Sequence, residues 1–161
     1  MVLDAFVEGC DESFSCRYVG FTRFRCEILR GWNKELGELY EKQYGYLWDE
    51  NDNTASLGFL HMLSIYQNKQ TNDLQKKINK ILDEYDKPYN EGIKIFYHHS
   101  DYEGEIKPNE CVLVLKAFRR VYPDKFDNSN KNHNEWYRES YNTWIKMLTY
   151  AIENDKSIIF G

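Results

Sequence analysis

Apolar positions recur along this chain with two periods, and the changes between them lay out its elements. Near the start, Leu3, Ala5 and Val7 alternate with Asp4, Phe6 and Glu8, the period of a short strand with both faces partly apolar. The polar run Gly9 to Ser15 then reads as a loop. From Tyr18 to Trp32 the pattern fits either element, because Phe24, Cys26 and Ile28 alternate as in a strand. Thr22 as an N-cap, Phe21 as a hydrophobic staple and Gly31 as a stop favour a short helix.

Farther along, the helical period takes over. Leu36, Leu39, Tyr40, Gln43 and Leu47 predict a helix over Asn33 to Leu47, with Lys34, Glu38, Glu41 and Lys42 on its polar face. After the solvated run Asp49 to Asn53, Leu57 to Tyr66 is apolar on nearly every side and predicts a buried helix holding His61. Thr71 caps a helix from Asn72 to Tyr85 with the stripe Leu74, Ile78, Ile81, Leu82 and Tyr85, ended by Lys87-Pro88. Ile93 to Tyr97 reads as an interior strand that delivers His98 and His99 to its end on opposite faces. Pro108 opens a helix to Tyr122, packed through Cys111, Leu115 and Phe118. Asp124 to Asn134 is a surface loop. The last helix, Glu135 to Asn154, carries Tyr137, Tyr141, Trp144, Ile145, Leu148 and Ile152, and Ser157 to Phe160 closes the chain as a small strand. The total is an α+β fold, a single domain over residues 1–161 with about five helices on a small β-sheet.

Composition narrows the function classes. A chain of 161 residues, 42% apolar, suffices for one core. The net charge of -5 gives no basic surface for long nucleic acid. No apolar run is long enough for a membrane span and no signal segment opens the chain, so the expectation is a cytoplasmic protein. There Cys10, Cys16, Cys26 and Cys111 stay free thiols, in a spacing that matches no common zinc pattern. Aromatic residues make up 16% of the chain. That is enough to build a core and still leave rings to stack on a planar ligand.

Candidate chemistry concentrates in two places. From Tyr97 to Glu110 the chain gathers two imidazoles, several carboxylates and a turn glycine. Laid on a calcium-loop template, His99 takes the first ligand position, Asp101 the third, Glu103 the fifth, Gly104 the turn, Ile106 the eighth and Glu110 the twelfth. The first position lacks its carboxylate, so Asp101, Glu103 and Glu110 are weak metal candidates. A bland reading competes: Gly104 makes a turn, Pro108 starts a helix and Glu110 complements its N-terminus. Near the N-terminus, Arg17, Arg23, Arg25 and Arg30 interleave with Tyr18, Phe21 and Phe24. Arginine beside aromatics suits phosphate clamping and base stacking, although solvated arginines paired with acids would look the same; Arg119, Arg120 and Arg138 could join such a pocket or equally be surface. The ligand site expected from the sequence is therefore Tyr18, Phe21, Arg23 and Arg25 facing His99, Asp101 and Glu103. No nucleophile elbow, zinc-protease motif, P-loop or dinucleotide fingerprint occurs, so no catalytic residue or cofactor is assigned.

Met1-x-Leu3-Asp4-Ala5, together with His99-Ser100-Asp101-x-x-Gly104-Glu105-Ile106-x-Pro108-x-Glu110, resembles small uncharacterised proteins of bacteriophages and bacterial mobile elements. Those proteins often carry Asp-Cys-Asp-Gly where this chain has Asp101-Tyr102-Glu103-Gly104. The resemblance implies a class that acts on host defence inside the host cytoplasm, some members sequestering nucleotide-derived immune signals without cleaving them. The expected function is a non-enzymatic nucleotide sponge, compatible with self-association. One alternative is a metal-dependent or acid/base hydrolase using His99, Asp101 and Glu103, and another is an inhibitor of a host protein through an acidic surface.

Overall fold

The computed structural model describes residues 2–44, 72–99, 103–121 and 131–161. The expected helix from Leu57 to Tyr66 with His61, the loop Asp49 to Asn53, Leu47 and Asp101 lie outside the described residues. The chain runs β1 (Val2–Phe6), β2 (Ser13–Arg17), α1 (Tyr18–Trp32), α2 (Lys34–Tyr44), α3 (described over 72–84), α4 (Asn90–His98), β3 (Gly104–Ile106), α5 (Pro108–Phe118), α6 (Lys131–Glu153) and β4 (Ile158–Phe160). This is an α+β fold, as its alternating and helical periods predict.

The strands form one antiparallel sheet in the order β2-β1-β4-β3. Its register pairs Ala5 with both Phe14 and Phe160, and Ile106 with Ile158. Because strand side chains alternate between faces, this register puts Leu3, Ala5, Phe14, Ile106, Ile158 and Phe160 on one buried face. Val2, Phe6, Ile159 and Glu105 fall on the other, exposed face.

The buried face meets α1 and α6 in an aromatic core centred on Trp144. Its ring centroid lies 5.6 to 6.3 Å from Phe14, Phe21, Phe24, Phe96, Phe118 and Phe160, the range in which tilted and stacked pairs add to simple burial. The final helix is thus anchored by the stripe that announced it: Tyr137, Tyr141, Trp144 and Leu148 are all buried.

Four expectations are corrected. Ile93 to Tyr97 is helix, not strand: Asn90, Ile93, Phe96 and Tyr97 are buried at helical spacing. Gly92 lets α4 approach α5 so closely that an added Cβ would stand 2.0 Å from the Leu113 carbonyl oxygen. The strand-like mixture Ile-Lys-Ile-Phe-Tyr was overridden by packing. Ser13 and Ser15 lie in β2, where Phe14 alone of the first three residues is buried, so this edge strand shows only a weak period. The N-cap of α1 is Arg17, not Thr22, which is buried inside the helix. Lys131 to Asn134 begin α6 and are not loop.

Asn33 joins two helices. Its backbone N–H closes α1 on the Leu29 carbonyl, and its Oδ1 accepts from the Leu36 N–H at 2.9 Å to cap α2. Beside this same end of α1, Asp86 takes a left-handed conformation, φ 52°. Its carboxylate accepts from Trp32 Nε1 at 3.3 Å and from two Arg120 nitrogens at 3.0 and 2.9 Å. One turn thereby ties α1, α3 and α5 together.

Candidate functional site

The residues expected to form a ligand pocket near the N-terminus are mostly spent on the interior. Phe21, Arg25, Ile28 and Trp32 follow one stripe of α1, and that stripe faces the core. Phe21 is fully buried between Phe14, Phe96, Trp144 and Phe160. Arg25 is 4% exposed. Its Nη2 donates to the His99 carbonyl at 2.9 Å, and its guanidinium carbon sits 4.7 Å from the Phe21 ring centre and 5.6 Å from that of Phe96. Arg23 is half-buried on a different face, since residues two apart on a helix point roughly 200° away from each other. The two arginines therefore cannot clamp one phosphate, and Phe21 cannot stack a base. The side chain of Tyr18 is outside the described residues.

The structure does bring the first expected cluster next to the second, though as a structural tie. Arg25 holds the end of α4, where His99 starts the loop. The His99 ring lies over Phe160 at 4.1 Å between centroids, and a Cβ added to Gly104, at φ 104°, would stand 3.6 Å from its Nε2. His98 is exposed and packs edge-on against Tyr97. Partial burial, with Lys94 and Arg25 nearby, lowers its pKa below the ordinary 6.5.

A helix now precedes the loop, Ile106 lies in the short strand β3, and Pro108 begins α5 as expected. Glu103 is exposed. Glu110 is occupied: its Oε2 accepts from the Lys107 N–H at 2.9 Å, the carboxylate half of a capping box at the start of α5. Among the described residues, no group of three His, Cys, Asp or Glu side chains is placed to hold a metal ion.

The thiols are equally committed. Burial pushes the Cys111 thiol up to about 11 and Cys16 up to about 12, with Asp4 adding to the latter. Burial also raises Cys26, whose Sγ donates to the Gly37 carbonyl at 3.5 Å. A thiolate nucleophile is disfavoured at all three positions.

An open groove between α2 and α3 was missed by sequence reasoning. It measures about 710 Å³ and is lined by Asn33, Glu35, Glu38, Leu39, Lys42, Lys77, Lys80, Ile81, Glu84 and Tyr85, a volume typical of small-molecule sites. The helices run antiparallel, since Gln43 Nε2 meets Gln75 Oε1 at 3.0 Å at one end while Trp32 meets Tyr85 at 4.8 Å at the other. Tyr85 keeps 44% of its surface exposed. Lys42, Lys77 and Lys80 had read as solvated helix faces. Only the pairing of two helices distant in sequence converts them into one wall.

Compared with family models, curated proteins and solved structures, the chain matches none. Among the described residues, no helix is long and apolar enough to cross a membrane.

Proposed function

We propose that the protein is a binding protein that sequesters a small anionic, nucleotide-derived ligand, and that the groove between α2 and α3 is where the ligand sits. The observation that carries this reading is the lining itself, in which Lys42, Lys77 and Lys80 share one groove with the exposed ring of Tyr85. Lysines are point-charge donors for phosphate, and a phenol ring is a platform for a base. The sequence resemblance to phage proteins supports the wider role, the capture of a host immune signal in the host cytoplasm.

The test is retention. The pure protein is incubated with a panel of cyclic oligonucleotides, mononucleotides and ADP-ribose derivatives, separated from free ligand, and heated to release what it holds. Recovery of intact ligand is the expected result. Recovery of altered ligand would replace the sponge with an enzyme, and retention of nothing would remove both.

A further inference from the structure

The groove is polar in a directional way. From one end, Asn33 and α2 present Asn33, Glu35, Glu38 and then Lys42, while the turn after α3 and α3 itself present Tyr85, Glu84, Ile81, Lys80 and then Lys77. Acids and the aromatic ring therefore gather at the Asn33 end, and bases at the Lys42 end. Among the described residues, none of these six charges is used in an ion pair: Glu41 on α2 goes to Arg30, and Asp83 on α3 goes to Lys94. Six charges that make no ion pair among the described residues, sorted by sign along one slot, suit a ligand that carries the opposite order.

Resting on the reading of this groove as the ligand site, we infer that it takes an extended nucleoside diphosphate with an amino-bearing base. The phosphates lie at Lys42, Lys77 and Lys80, and the base lies on Tyr85 with its exocyclic amine donating to Glu84. Length is compatible with two phosphates: Asn33 to Lys42 spans about 13 Å at the helical rise, a distance that base, pentose and two phosphates fill in line. The acids add selectivity, since Glu35 and Glu38 repel phosphate from the wrong end.

Titration calorimetry of the full chain with ADP, AMP, inosine diphosphate and pyrophosphate tests this. ADP is expected to bind about ten-fold or more tightly than AMP or inosine diphosphate, which lacks the amine, and pyrophosphate more weakly than ADP. Lys77→Ala/Lys80→Ala should lower ADP affinity by about ten-fold or more, for two lost charge-assisted contacts, with an unchanged melting curve because both side chains are exposed. Glu84→Ala should bring ADP and inosine diphosphate to equal affinity. ADP binding that ignores these variants, or no ADP binding by a protein that retains another member of the panel, would overturn the inference and leave the sequestering role standing. A protein that retains nothing at all would overturn both.

Discussion

Arg25 donates to the backbone carbonyl of His99 across 74 positions of sequence at 2.9 Å. A buried guanidinium thereby fastens the C-terminal end of α4, which α1 itself contacts only sparsely. Arg25 also spreads over the faces of Phe21 and Phe96, so its charge is offset by two ring quadrupoles and a carbonyl dipole. Arg25→Ala is expected to destabilise the fold by about 2–4 kcal/mol, combining an unsatisfied carbonyl, lost cation–π contacts and a cavity. Arg23→Ala should change stability far less. Urea denaturation of the two single variants measures this, and equal midpoints would contradict it.

Gly92 makes a second relationship of this kind, between α4 and α5. An added Cβ there would meet the Leu113 carbonyl oxygen at 2.0 Å, its carbon at 2.5 Å and the Ala117 Cβ at 2.8 Å. Backbone cannot swing aside as a flexible side chain can, so Gly92→Ala must separate the helices. A loss of about 3 kcal/mol or more is expected, at the upper end for overpacking. Gly20→Ala, whose nearest contact is the Cys16 Cβ at 3.4 Å, is the control, and thermal melting of the pair should rank Gly92→Ala well below it.

The α6 stripe was legible because one buried face repeats Tyr137, Tyr141, Trp144 and Leu148 over many turns, and length makes a period unambiguous. The segment Ile93 to Tyr97 misled because Ile, Phe and Tyr carry strand preference, while the deciding fact, α5 packed on Gly92, is tertiary. The site was less legible still. Sequence gathered arginines and aromatics that are neighbours along the chain, yet on a helix Phe21 and Arg25 turn inward together while Arg23 turns elsewhere. Lys42 and Lys77 offered no local signal, because only the packing of α2 on α3 makes them one wall.

The alkaline side of the stability curve follows from the buried thiols. Burial raises Cys111 from 9.0 to about 11 and Cys16 from 9.0 to about 12, so the folded chain keeps protons that the unfolded chain releases above pH 9. The unfolded state then binds fewer protons, and stability falls as pH rises through this window. Tyr97 acts in the same direction above its ordinary 10.0, because burial raises it too. His98 has the opposite sign: its lowered pKa means that stability is lost as pH falls below 6.5. Urea midpoints from about pH 8 to 10.5 should decline, and Cys16→Ala/Cys111→Ala should flatten the decline. An unchanged slope in that variant would refute the assignment.

At Glu110, a capping carboxylate and a cation ligand respond differently to substitution. Its Oε2 is engaged by the Lys107 N–H at 2.9 Å in the first turn of α5, and the loop begins with His99 where calcium would want a carboxylate. If Glu110 serves the helix, glutamine can replace it, because an amide oxygen accepts the same bond in a capping box. Glu110→Gln should then be nearly silent in thermal melting, whereas Glu110→Ala should cost about 1 kcal/mol, the ordinary value of a cap. Millimolar calcium or magnesium should raise the melting temperature of the unaltered protein by less than about 2 °C, since weak binding stabilises little by mass action. A saturable shift that Glu110→Gln abolishes would reverse the conclusion, making this carboxylate a cation ligand and the helix cap its resting contact.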